Sequence, residues 1–314
     1  MTVVGFAFHP DCLQHDPGPY HPEHPDRLTA IVRHLGASTI WPRLQPLTPT
    51  LAAPETIALV HPPIFIDTIE HACLEGPTSL DPDTVASLGS WQAARLAVGA
   101  VTLAIDAVMK GSVRSAFCAV RPPGHHALAD RAMGFCLFNN VAIGAKYAQQ
   151  QHRLSRILIV DWDVHHGNGT QAIFYDDPSV FYFSTHQYPL YPGTGSSDEI
   201  GEGKGRGTTL NVPLPAGSGD AEIIKAFEEK LLPAANTFKP ELILISAGFD
   251  AHRNDPLAQL NVTEAGYAKL TELVVAISRA HCPGRIVSVL EGGYNLTALG
   301  RSIEAHLHVL GDGH

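Results

Sequence analysis

The segment Asp161-Trp162-Asp163-Val164-His165-His166-Gly167-Asn168-Gly169-Thr170 puts two carboxylates and two imidazoles directly after the apolar run Ile157–Val160. Carboxylate oxygen and imidazole nitrogen are the usual ligands of a divalent metal of hard to borderline character. Burying so many polar groups at one strand end is unfavourable unless they pair with one another or bind an ion. Asp163 and His165 are separated by one residue, so in an extended strand end they project to the same side. A lone pair of this kind is more often a capped turn with surface imidazoles than a metal site. Asp250, past the end of another apolar run, shifts the balance to a three-ligand site. Three protein ligands leave one position open for water, the pattern of a catalytic rather than a structural metal.

Four further segments carry chemistry of the same kind. Arg121-Pro122-Pro123-Gly124-His125-His126 is a turn stiffened by proline and bent at glycine, with two adjacent imidazoles. Next to an activated water a histidine is a natural general base, because its pKa lies near operating pH. Asp161 is free to orient such a ring. Gly292-Gly293-Tyr294 reads either as a helix entry with a core tyrosine or as a phenol aimed at a developing oxyanion. Gly134-Phe135 and Tyr191 read equally well as core aromatics or as walls of a narrow apolar channel. In His21-Pro22-Glu23-His24-Pro25-Asp26-Arg27 a capped loop is the simpler reading than a second metal, and His252 is open in the same way.

These residues need elements to bring them together. Strands are predicted over Val3–Phe8, Ala116–Val120, Ile157–Val160, Val180–Phe183, Thr208–Val212, Leu242–Ile245 and Ile286–Leu290. Helices are predicted over Pro25–Leu35, Trp91–Met109, Asn140–Gln151, Asp220–Leu232, Glu264–His281 and Leu296–Leu310. Several strands are continuously apolar, as in a parallel sheet covered on both faces. Their alternation with helices predicts an α/β fold. Each polar cluster lies just past the carboxyl end of a strand, where open α/β sheets bind ligands. The glycine-rich stretch His186–Gly207 is a long loop, of the kind that is usually functional or mobile.

The chain has 314 residues, 45% of them hydrophobic, and no linker divides it, so one domain over residues 1–314 is expected. Its 21 basic against 31 acidic residues give a net charge of −10, with no basic block, which argues against direct nucleic-acid binding. Five cysteines without a CxxC pair point to a reducing compartment, here taken as the cytoplasm. Met1–Phe8 reads as a first strand rather than a leader, and no apolar run is read as a membrane span. Nothing in the sequence indicates the oligomeric state.

Together Arg121–Ala127, Gly134-Phe135-Cys136-Leu137-Phe138-Asn139-Asn140, Asp161–Thr170, Ala247-Gly248-Phe249-Asp250 and Glu291-Gly292-Gly293-Tyr294 resemble the zinc-dependent histone deacetylase family, in order and over nearly the whole chain. The likeness is nearest to class II and bacterial deacetylase-like amidohydrolases, through Asn168 and the His21–Arg27 segment. It implies the arginase/deacetylase fold, an open parallel sheet of about eight strands flanked by helices on both faces. It implies Zn²⁺ held by Asp163, His165 and Asp250, a set that Fe²⁺ also suits. It assigns His125 and His126 as the imidazole pair, supported by Asp161 and Asn168, and Tyr294 as oxyanion donor. It places Gly134, Phe135, Tyr191, Leu257 and Gly293 against the substrate and Arg27 near an internal cavity. It also implies K⁺ beneath the zinc, on main-chain oxygens of Asp161, Asp163, His165 and Thr185 and on the Ser184 hydroxyl.

Two departures narrow the expectation. Arginase relatives carry another aspartate where this chain has Gly167, which argues against a second metal. Polyamine-selective deacetylases carry a glutamate at the tunnel mouth, and the aligned residue here is the apolar Leu257. The expected activity is therefore removal of acetyl or another acyl group from lysine in a protein or peptide. Acetylpolyamines or other small amides are the alternative substrates. A non-catalytic acyl-lysine binding module is disfavoured, because the tyrosine and both histidines are intact.

Overall fold

In the computed structural model, which describes residues 4–312, ten strands alternate with ten α-helices. The strands are β1 (Val4–Ala7), β2 (Leu44–Leu47), β3 (Thr78–Asp81), β4 (Thr84–Ala86), β5 (Ser115–Cys118), β6 (Ile157–Asp161), β7 (Val180–Gln187), β8 (Thr209–Leu214), β9 (Leu242–Ala247) and β10 (Ile286–Leu290). The helices are α1 (Asp26–Gly36), α2 (Pro54–Ile57), α3 (Pro63–Leu74), α4 (Ser90–Met109), α5 (Asn140–His152), α6 (Asn168–Ile173), α7 (Asp220–Ala226), α8 (Leu232–Phe238), α9 (Glu264–His281) and α10 (Leu296–Asp312). Val3, the first residue of the expected N-terminal strand, lies outside the described residues.

Eight strands form one parallel sheet in the order β2-β1-β5-β10-β9-β6-β7-β8. Apolar side chains on both faces explain why the central strands do not alternate. Leu158 and Val160 belong to one buried apolar cluster with Leu28 of α1, Leu270 of α9 and Ile303 of α10. Ile157 and Ile159 point the other way, into a second buried cluster with Val101 and Ile105 of α4 and Val141 of α5. Register aligns the strand ends: Asp161 is paired with Ser184 on β7 and with Ser246 on β9. Apolar residues fill both faces, so the polar residues that follow each strand gather at one edge of the sheet.

Several elements differ from the sequence expectation. The edge strand β2 contains Pro46, which is tolerated there because an edge residue need not donate to a neighbour. The β3–β4 hairpin and helices α2, α3 and α6 were not predicted. The helix expected to end at Leu232 continues to Phe238, through a π-turn at Phe227–Leu231 that precedes Pro233. Helix α4, by length and composition alone, is apolar enough to cross a membrane, which corrects the expectation that no such run exists. Most of it is buried inside the protein, where it packs against β5 and α5.

Candidate active site

The turn after β5 delivers the two histidines, and its backbone is held from a distant strand end. The amides of Gly124 and His125 donate to Oε2 of Glu291 at 2.7 and 3.1 Å, and Oε1 of Glu291 accepts from the Ser246 hydroxyl. His125 Nδ1–H donates to Asp161 Oδ2 at 3.0 Å, and the Tyr182 hydroxyl donates to the same oxygen at 3.1 Å. His126 Nδ1–H donates to Asn168 Oδ1 at 2.8 Å. The two imidazole centroids are 4.0 Å apart, and both side chains are nearly fully buried. Burial opposes a charged His125, but Asp161, Asp163 and Glu291 outweigh it and push its pKa up to about 10. Burial instead holds His126 well below the ordinary histidine value, and His125 acts in the same direction. Two adjacent imidazoles thus have opposite proton affinities: the carboxylates around His125 raise its affinity, whereas burial and the neighbouring His125 lower that of His126.

Asp163, His165 and Asp250 converge next to this pair, with ligand atoms all within 4.8 Å of one another. His165 Nδ1 is 3.1 Å from Asp163 Oδ1 and 3.2 Å from Asp250 Oδ2. The remaining carboxylate oxygens take backbone amides: Asp163 Oδ2 accepts from Gly292, and Asp250 Oδ1 from Val164. Asp250 Oδ2 is buried and accepts no hydrogen bond. Burial and the facing Asp163 push the Asp250 carboxyl up to about 7. Two buried carboxylates, one with an oxygen in want of a partner, next to an imidazole, are a donor set that fits a divalent cation. Among the described residues neither His21 nor His24 joins such a cluster. The His21 ring packs edge-on against Phe135, His24 pairs with Asp26, and His252 lies beside Glu264. At Gly167 an added Cβ would lie 2.2 Å from Asp161 Oδ2, so no side chain fits there without displacing the partner of His125.

A cavity of about 230 Å³ opens above these groups. His125, His126, His165 and Tyr294 line it, with Phe135, Leu190 and Tyr191 as apolar walls and Leu257 toward the outside. Tyr191 meets the His126 ring edge-on at 5.1 Å, and Phe135 meets Tyr294 at 6.0 Å. Gly134 also lines the cavity, and its neighbour Phe135 has a φ of 68°. The Gly134 amide donates to Asp83 Oδ1 and that of Phe135 to the Thr84 hydroxyl. The wall contributed by the glycine pair is Gly292, whereas Gly293 turns its carbonyl away to accept from Arg27 Nε at 2.7 Å. Asp83 lines the cavity too and was missed in the sequence. The run Asp81-Pro82-Asp83 signals a turn, but nothing local shows that the turn reaches the site.

Beneath the cavity lies a buried charge network. Glu23 pairs with Arg27, Arg121 and His15. Burial opposes its ionisation, but Arg121 and these neighbours hold it well below the usual carboxylate range. The Arg27 guanidinium lies 4.9 Å over the Tyr294 ring. At the end of β7, His186 Nε2–H donates to the Gly195 carbonyl, which leaves Nδ1 to accept from the Ser184 hydroxyl at 2.9 Å. The Ser184 oxygen thus keeps free lone pairs, and the neighbouring Thr185 hydroxyl is buried with no partner.

Comparison with known proteins gives a consistent answer. The histone deacetylase domain matches residues 21–310. A probable deacetylase of Archaeoglobus fulgidus is 43% identical over 296 residues, 94% of this chain and 82% of that protein. Polyamine deacetylase HDAC10 of Homo sapiens is 42% identical over 293 residues, 90% of this chain and 43% of that protein. The crystal structure of the HDA15 HD domain matches with a TM-score of 0.94 and 39% identity, covering 99% of this chain and 90% of that one.

Proposed function

The chain belongs to the histone deacetylase family and has its arginase/deacetylase fold, and from that premise we propose that it is a zinc-dependent amidohydrolase that removes acetyl or another acyl group from lysine side chains. The observation that carries this reading is that His125, His126, His165 and Tyr294 line one narrow cavity, with Asp163 and Asp250 clustered on His165. Zn²⁺, or Fe²⁺, held by Asp163, His165 and Asp250 would polarise the amide carbonyl and acidify a water. His126, kept neutral, takes the proton from the attacking water at Nε2, since its Nδ1 is committed to Asn168. His125, kept charged by Asp161, stabilises negative charge and supplies a proton to the leaving amine. The Tyr294 hydroxyl donates to the oxyanion. Phe135, Leu190 and Tyr191 enclose an aliphatic lysine stem and exclude bulk water. We also propose K⁺ at the Ser184–Thr185 strand end, where the free lone pairs of Ser184 support it. Five free, buried cysteines support a reducing compartment such as the cytoplasm.

Leu257 at the mouth favours a neutral peptide segment over a second ammonium group. One observation supports an acetylpolyamine instead: the Asp83 carboxylate lies on the same cavity. The test is kcat/KM on acetyl-lysine peptides and on acetylputrescine, with protein of measured zinc content. No carboxylic acid released from any acyl-lysine peptide overturns the main reading. A large preference for acetylputrescine replaces it with the second.

A further inference from the structure

We infer that Asp255 is a positioning residue for Tyr294, holding the backbone on which the phenol stands and linking it to Leu257 at the cavity mouth. This deepens the reading above and rests on Tyr294 as the oxyanion donor.

Asp255 lies on the loop between β9 and α9, five residues after Asp250, and is only 7% exposed. Its Oδ2 accepts from the amides of Tyr294 at 2.7 Å and Asn295 at 3.3 Å. Its Oδ1 accepts from the amide of Leu257 at 3.1 Å. Burying a carboxylate costs free energy unless the charge is met. Here backbone amides meet it, two of them directly ahead of the first residue of α10, where the helix dipole also favours a negative charge.

The turn that it grips cannot hold its own shape. Gly293 has a φ of 122°, a region that glycine enters freely and other residues rarely do, and Gly292 precedes it. The carbonyl side of this turn is held by Arg27, which donates to the carbonyls of Glu291 and Gly293. The amide side is held by Asp255. Asn295 adds a third tie, from its Nδ2 to the Asn254 carbonyl at 3.1 Å, on the same loop as Asp255. With a cation on one side and an anion on the other, the Tyr294 ring has one place to go, under the Arg27 guanidinium and edge-on to Phe135. The third amide adds a consequence: floor and mouth of the cavity share one carboxylate, so a substrate that displaces Leu257 also pulls on the acceptor of the Tyr294 amide.

The test uses the zinc-loaded full chain with Asp255→Ala and Asp255→Asn. Asparagine keeps the volume and one acceptor, so its effect is the smaller. Asp255→Ala should lower kcat on an acetyl-lysine peptide about 10- to 100-fold, the scale of a misplaced catalytic group, with KM and zinc content near those of the parent. In a Tyr294→Phe background the same change should cost almost nothing more, because the group that it positions is already gone. Amide hydrogen exchange across residues 291–296 should accelerate in Asp255→Ala, while the 161–168 segment keeps its protection. Losses that add fully in the double variant overturn the inference, as does unchanged exchange at 291–296. If the parent protein hydrolyses no acyl-lysine substrate, the functional reading fails, and the exchange measurement alone still decides what Asp255 holds.

Discussion

His126 donates its Nδ1–H to the side-chain oxygen of Asn168 at 2.8 Å, so the imidazole beside the cavity is backed by a neutral amide and not by a carboxylate. Its neighbour His125, 4.0 Å away, is backed by Asp161. Carboxylates hold the proton on His125, while burial and the neighbouring His125 keep His126 neutral. Asn168→Asp would put a second carboxylate behind the pair and stabilise the charged form of His126. The acid limb of kcat/KM should then move to higher pH, since the base must lose a proton that it now holds more tightly. An acid limb that does not move would separate Asn168 from control of that proton.

Tyr294→Phe removes the hydroxyl and leaves the ring between Arg27 and Phe135. A group that acts only in the transition state lowers kcat and leaves KM nearly unchanged. The expected loss is roughly 10²-fold or more, the scale of one oxyanion donor. Steady-state kinetics on an acetyl-lysine peptide check this, and near-parental turnover would contradict the role.

Asp163→Ala should abolish both bound metal and activity. The carboxylate that it removes faces His165 and stands beside Asp250. Elemental analysis of protein purified without added metal decides the point. Zinc retained at one equivalent would place the metal elsewhere.

A further test concerns acid stability and a histidine far from the chemistry. Burial lowers the pKa of His306 to about 3, and its nitrogens meet the hydroxyls of Thr271 and Ser288. The unfolded chain takes up the same proton near pH 6.5. Between those values unfolding binds a proton, so stability falls as pH drops from about 6.5 to about 3, by at most ~1.4 kcal/mol per pH unit from this residue. His306→Gln should flatten that slope in urea unfolding measured across the window. Parallel slopes for parent and variant would show that His306 does not titrate on unfolding.

The central strands are legible in the sequence because both of their faces are covered, which makes runs such as Ile157–Val160 and Leu242–Ile245 continuously apolar. The polar groups after them stand out for the same reason. Helix α4 shows the limit of such reading, since a mostly apolar helix has the same composition whether its surroundings are protein or lipid. Edge strand β2 and the β3–β4 hairpin were illegible because short, partly exposed strands carry little hydrophobic pattern and, for β2, a proline. Asp83 reached the site unannounced on that hairpin. Of the glycine pair, Gly292 lines the cavity.

By itself the sequence determined the order of the central strands and the long helices, the end of the sheet at which the chemistry gathers, and the residue types available there, because periodicity and local turn chemistry are properties of neighbouring residues. Tertiary structure alone decided which carboxylate meets which partner. Asp161 reaches His125 over 36 residues, Glu291 holds the amide of His125 over 166, and Asp255 holds that of Tyr294 over 39. Such pairings depend on strand register and on how buried charges are satisfied, and those are settled only when the whole sheet has closed around them.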